Sequence, residues 1–219
     1  MKKVSGIIFD MDGLLFDTEQ IYYDASQVIA DKMNFQYDEA LYDRFIGVSD
    51  EELWQNYHEI FAAHGKANVQ KFIDESYALA LKTFNTQGAP LKPGAKELLD
   101  FLAAENIPRV LASSNQRPVI ETLLNKAGLT ERFAAIVSAD DVKRAKPDPE
   151  IFQLALTKLE TNAETTLVLE DSHNGILAAE AAQIPVVMIP DRIPASPELT
   201  EKVHAVLPDL HAVISYLKK

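Results

Sequence analysis

Val4–Asp17, VSGIIFDMDGLLFD, is the stretch whose reading decides the fold of this chain. A short apolar run ends abruptly in Asp10 and Asp12, and Gly13 follows at once. Residues two apart in a strand project to the same side. If the extended geometry persists just past the apolar run, both carboxylates point into one space. Paired carboxylates in one pocket do not comfortably both ionise, so a partner cation or divided acid/base duty is expected. The plainer reading is a tight Asp-Gly turn between apolar residues. The rest of the chain decides between them.

Further apolar runs recur at Val110–Ala112, Ile136–Val137, Leu167–Leu169 and Val186–Ile189, in line with Ile7–Phe9. They are nearly continuous rather than alternating, as expected for parallel strands covered on both faces. Helical patterns lie between them. Ala95–Ala104 carries Leu98, Leu99, Phe101 and Leu102, and Glu150–Leu159 follows Pro149. Pro118–Ala127 begins with a first-turn proline and stops before Gly128, and Asn174–Gln183 stops before Pro185. Strands alternating with helices predict an α/β fold with a doubly wound parallel sheet.

Residues from about Phe16 to Asn85 break the alternation with consecutive helices, roughly Thr18–Lys32, Glu39–Phe45, Asp50–Ala62 and Val69–Phe84. Most of the aromatics fall here, and they read as the core of a small bundle in preference to a ligand pocket. Gln87-Gly88-Ala89-Pro90 with Pro93-Gly94 returns the chain to the sheet. The expected organisation is a core domain of residues 1–16 and 88–219, with an all-helical domain of residues 17–87 inserted after the first strand.

Composition narrows the class. The 219 residues carry a net charge of −12, which argues against nucleic acid and anionic membranes as partners. An anionic substrate would then need positive charge supplied locally. Cysteine is absent, which removes disulfides, thiolate catalysis and zinc–thiolate sites together. Asp10 and Asp12 interrupt the opening apolar segment before a signal peptide can form, and no run is long enough to span a bilayer. A cytoplasmic monomer is expected.

In open α/β sheets ligands bind beyond the carboxyl ends of the strands. Past the first run lie Asp10 and Asp12. Past the second come Ser113, Ser114 and Asn115, and the loop after the third leads to Lys146-Pro147-Asp148-Pro149. Past the fourth come Glu170, Asp171 and Ser172. Each has a plainer reading: a helix cap, a solvated loop charge, an acidic first turn. Together they put acidic pairs, hydroxyls and a lysine on one rim of one sheet, as phosphoryl transfer requires. Mg²⁺ takes a few oxygen ligands, and transferred phosphate takes N–H groups, a hydroxyl and a cation.

In motif order and over essentially its full length, the chain resembles the haloacid dehalogenase superfamily. Asp10-Met-Asp12-Gly-Leu-Leu-Phe-Asp17-Thr18-Glu19 looks like its first motif, Leu111-Ala-Ser113-Ser114-Asn115 its second, Lys146-Pro-Asp-Pro its third and Glu170-Asp171-Ser172 its fourth. The helical insert resembles the cap of the β-phosphoglucomutase-like group, on a Rossmann-like core. The resemblance implies Asp10 as nucleophile forming an aspartyl-phosphate and Asp12 as general acid, then base. It implies Ser113 and Lys146 as phosphoryl holders, with Ser114 and Asn115 beside them. It also implies Mg²⁺ held by Asp10, the Asp12 backbone carbonyl and Asp171, with Glu170 assisting directly or through water. Dehalogenases of the superfamily lack the second aspartate, so Asp12 points to phosphoester chemistry.

Departures refine the expectation. Sugar-phosphate mutases of the group carry a cap histidine where Tyr22 aligns and a cap arginine where Asp50 aligns in Gly47-Val-Ser-Asp50; Arg44 is near enough in sequence to substitute. Glu19, Tyr22, Arg44, Gly47 and Asp50 are thus the candidate substrate residues of the cap. His173 reads as an exposed loop residue. The leading function is a Mg²⁺-dependent phosphatase of a small phosphorylated metabolite, with a phosphomutase as its rival. A phospho-acceptor signalling module or an idle binding protein would not need the helical insert or a full acid, base and metal set.

Overall fold

Buried apolar strands dictate the centre of the molecule. The computed structural model describes residues 3–48 and 50–218. Its strands are β1 (Gly6–Phe9), β2 (Arg109–Ala112), β3 (Ala135–Val137), β4 (Thr166–Glu170), β5 (Val186–Met188) and β6 (Ala205–Val206). They form one sheet in the order β3-β2-β1-β4-β5-β6, with every adjacent pair parallel. β1 is central, with Ile8 opposite Val110 on one side and Val168 on the other.

Alternate residues feed two cores. Ile7, Phe9, Leu111, Leu167 and Leu169 face one layer, while Ile8, Val110, Ala112, Val168 and Val186 face the other. The first layer holds α5 (Ala95–Ala104), α6 (Arg117–Ala127) and α10 (Leu210–Leu217), and the second holds α7 (Glu150–Leu159), α8 (His173–Ala181) and α9 (Pro197–Lys202). The α/β doubly wound arrangement read from the sequence is therefore present. β6, α9 and α10 were not anticipated.

Four further helices intervene between β1 and α5: α1 (Glu19–Met33), α2 (Glu39–Asp43), α3 (Asp50–Ile60) and α4 (Lys66–Gln87). Their core is aromatic, as expected. Phe35 stacks on Phe72 with ring centroids 5.0 Å apart, and the Tyr37 and Tyr57 hydroxyls lie 2.8 Å apart. The expected second helix is shorter than read: it ends at Asp43, and Phe45 falls in the following turn, where it lines the cavity described below. The two chain crossings lie side by side. Asp17 N–H donates to Pro90 O at 2.9 Å, and Lys92 N–H donates to Leu15 O at 3.0 Å.

Candidate active site

Consecutive strand ends converge on one buried cluster. Asp10 leaves β1 and is 6% exposed. Its Oδ1 accepts from Lys146 Nζ at 2.6 Å, and the same ammonium donates to Glu170 Oε1 at 2.6 Å. Lys146 is itself buried, with its Nζ 4.8 Å from the centre of the Phe152 ring. The plainer reading of Lys146 as a solvated loop charge does not hold.

Glu170 ends β4 fully buried and orders the turn beyond it. Its Oε2 accepts from Asp171 N at 2.9 Å, Ser172 N at 2.8 Å and Ser172 Oγ at 3.0 Å. Ser172 then caps α8 by accepting from Gly175 N. Gly175 is required by close approach, since a Cβ there would lie 1.7 Å from Glu170 Oε1. Glu170 thus precedes the helix and is not part of its first turn. His173 is exposed, as expected, but it begins α8 and does not lie in a loop.

Asp12 is held separately. Thr18 Oγ1 donates to its Oδ1 at 2.8 Å, while Asn115 Nδ2 and Ser113 Oγ donate to its Oδ2 at 2.8 and 3.2 Å. Ser113 Oγ also accepts from Asn115 N at 3.0 Å. The residue at the N-cap of α6 is Gln116, so Ser113 and Asn115 serve Asp12 and not the helix end.

The cluster is short of positive charge. Burial pushes the carboxyls of Asp10 and Asp171 well up from the usual range, with neighbouring acids adding to it. Burial also raises Asp12, opposed by its hydrogen bonds from Thr18, Asn115 and Ser113. For Lys146, burial pulls down, but attraction to Asp10 and Glu170 outweighs it and holds the ammonium charged. Asp10, Glu170 and Asp171 each offer an oxygen, and these atoms lie within 4.8 Å of one another. Such a set of hard oxygen donors in an over-acidic pocket fits a divalent cation of the Mg²⁺ type. The Asp12 side chain lies outside that group.

Above the cluster is a cavity of about 460 Å³, roofed by the helical unit. Ser114 and Asn115 line it from the sheet side, and Glu19, Tyr22, Gly47 and Asp50 line it from the helices. Tyr22 O–H donates to Asn115 Oδ1 at 3.3 Å, and Gly47 O accepts from Asn174 Nδ2 at 2.7 Å. Tyr42 O–H donates to Glu19 Oε2 at 2.5 Å. Burial nevertheless raises Glu19 to about 7. Asp50 is the first residue of α3, as the sequence pattern placed it. Arg44 is not brought to the cavity; its guanidinium sits 5.4 Å from the Phe45 ring centre, beside a separate cleft. Among the described residues lining the cavity, Lys146 is the sole basic side chain.

The sequence reading passed over the end of β5. Asp191 follows it with a buried carboxylate paired to Lys92, and Arg192 reaches the helical unit. The strand-end rule applied to Val186–Ile189 would have picked out both. Thr18, quoted in the first motif, was given no contact with Asp12.

Comparison with known proteins gives the family. Residues 7–189 match the model of the haloacid dehalogenase-like hydrolases. A phosphorylated carbohydrates phosphatase of Thermotoga maritima is 35% identical over 83% of this chain and 82% of its own. A validoxylamine A 7'-phosphate phosphatase of Streptomyces hygroscopicus subsp. limoneus is 30% identical over 84% of each. A Thermotoga maritima crystal structure, provisionally named a β-phosphoglucomutase, superposes with a TM-score of 0.80 at 30% identity, covering 98% of this chain and 99% of that one. By the extent of these matches, the chain belongs to the haloacid dehalogenase-like hydrolases.

Proposed function

We propose that the protein is a Mg²⁺-dependent phosphatase that hydrolyses a small phosphorylated metabolite through a phosphoryl group carried on Asp10. The observation that carries this is the division of labour between the two aspartates. Asp10 sits against Lys146 in the acidic cluster, while Asp12 is held apart by Thr18, Ser113 and Asn115. The two similar phosphatases support the reaction class, one named for phosphorylated carbohydrates and the other for validoxylamine A 7'-phosphate.

In this reading an Asp10 oxygen attacks phosphorus as the bond to the leaving oxygen breaks, and protonated Asp12 gives its proton to that oxygen. Asp12, now ionised, takes a proton from water as the water attacks phosphorus, which releases phosphate and restores Asp10. Lys146 and Ser113 hold the phosphoryl oxygens, with Ser114 and Asn115 beside them. Asp10, the Asp12 carbonyl and Asp171 would hold Mg²⁺, with Glu170 ordering the turn that presents Asp171. When bound, the ion offsets the negative charge of the phosphoryl group. Residues 17–87 act as a cap over the core of residues 1–16 and 88–219.

Turnover of an aryl phosphate tests the reading. Activity is expected to vanish on chelation with EDTA and to return with Mg²⁺. Undiminished turnover in chelated buffer would overturn the metal assignment, and no turnover with Mg²⁺ would overturn the phosphatase itself.

A further inference from the structure

Asp191 carries an unexplained oxygen. Its side chain is 7% exposed, and its Oδ1 pairs with the Lys92 ammonium. Its Oδ2 is buried with no hydrogen-bond partner among the described residues. A buried acceptor left bare is unfavourable, so something belongs against it.

The bare oxygen lies close to the acidic cluster. A Cβ built on Gly13 would lie 3.2 Å from Asp191 Oδ2 and 2.3 Å from Asp171 Oδ2. Both carboxylate oxygens therefore crowd the one side of Gly13 from which a Cβ would project, where the backbone runs at φ +73° with no side chain to intervene. Asp171 is one of the three acids whose oxygens converge. Lys92 covers only the other oxygen of Asp191. Two buried carboxylates so placed call for positive charge or a proton donor between them.

We propose that Asp191 is an outer carboxylate of the cation site, accepting through Oδ2 a hydrogen bond from water that hydrates Mg²⁺ without touching the ion itself. This rests on the Mg²⁺ reading above. Mg²⁺ dehydrates reluctantly and keeps several waters, and groups beyond the direct ligands orient what surrounds a metal and tune its affinity. Asp191 is a positioning residue in this scheme. Lys92 is its counter-charge and weakens its pull on the cation.

Calorimetric titration of Mg²⁺ alone into the full-length, metal-free protein reads this without turnover. Asp191→Asn keeps the shape and the acceptor facing Lys92 but removes the charge, so Mg²⁺ affinity is expected to fall about tenfold. Lys92→Met leaves Asp191 unneutralised, so affinity is expected to rise, by about threefold. Mere damage to local packing would weaken binding in both. The proposal is overturned if Asp191→Asn binds Mg²⁺ as the wild type does, or if Lys92→Met weakens binding. Should Asp191→Asn fail to fold, Lys92→Met alone decides, and unchanged affinity then overturns the proposal. A wild type that takes up no Mg²⁺ overturns the metal reading itself, an outcome separate from failure of the Asp191 role.

Discussion

Asp10 and Asp12 stand two residues apart, yet their side chains have different hydrogen-bonding partners. Asp10 accepts from Lys146 at 2.6 Å, and Asp12 accepts from Thr18, Asn115 and Ser113. The first is set against a fixed positive charge, and the second is ringed by neutral donors. Those donors favour the anion while burial disfavours it, so neither form of Asp12 is fixed. A group that must gain and lose a proton within one cycle needs such a setting.

The two aspartates should therefore fail differently. Asp10→Asn is expected to abolish any covalent phosphoenzyme, because an amide is no nucleophile. Asp12→Asn is expected to slow turnover by about a hundredfold or more. With an activated aryl phosphate, whose leaving group needs no proton, the Asp12 variant is expected to accumulate phosphorylated Asp10. Mass spectrometry of an acid-quenched digest checks this, and phosphate on another residue would refute the assignment.

The sheet was legible because its strands are buried on both faces, which writes them as unbroken apolar runs between turn signals. β6 has two residues, too few to register. α10 was overlooked although the signal exists: Leu210, Val213, Ile214 and Leu217 share one helical face, and Asp209 caps it by accepting from Ala212 N. At the site, Asp10, Ser113, Lys146 and Glu170 follow from the strand-end rule alone. The roof does not. Tyr22 and Asn115 meet across 93 residues of sequence, and only the seating of the helices on the sheet brings them together. Arg44 shows the converse, being near in sequence to the cavity wall and turned away from it.

Glu19 gives a pH signature. Burial raises its carboxyl to about 7, so between its ordinary value of 4.5 and 7 the folded protein holds a proton that the unfolded chain has released. Stability from this group is present below that window and is lost as pH rises through it. Glu19→Gln has nothing to titrate there. The stability of the variant relative to wild type, from urea midpoints of the metal-free proteins, is expected to increase from pH 4.5 to pH 8. A difference that does not move with pH would exclude the buried acid.

Arg192 links core and helices. Its Nε donates to Asp43 Oδ1 at 2.8 Å and its Nη1 to Gln20 Oε1 at 3.0 Å, and its Nη2 pairs with Glu39. The guanidinium also lies 5.7 and 5.6 Å from the Tyr23 and Tyr42 ring centres. If the helical unit closes over the site as a lid hinged near residues 16–18 and 85–93, Arg192 is the latch that favours closure. Arg192→Ala is expected to speed hydrogen exchange at both crossings and to raise KM more than it lowers kcat. Solution scattering should show a larger radius for the variant, and one unchanged in radius and in exchange would remove the latch.

Hydrolysis or phosphoryl return is decided by what the cavity offers a second phosphate. A mutase must keep a bisphosphorylated intermediate through its turnover, which needs a cation in the roof as well as in the floor. Here the roof presents Glu19 and Asp50, and Lys146, the sole basic side chain among the described lining residues, lies in the floor between Asp10 and Glu170. Asp50 has a structural reason to be acidic, since it sits in the first turn of α3 beside Glu51 and Glu52. Tyr22 stands where the mutases have histidine, and it is packed on Phe84 and bonded to Asn115. Arg44 does not reach the cavity to compensate. The phosphoenzyme is therefore expected to be discharged by water, and β-glucose 1-phosphate, where it reacts, to yield inorganic phosphate. Phosphorus NMR with catalytic glucose 1,6-bisphosphate checks this: net build-up of glucose 6-phosphate without matching free phosphate would mean that the roof finds a cation for the second phosphate after all, and Arg44 swinging inward would be the first place to look.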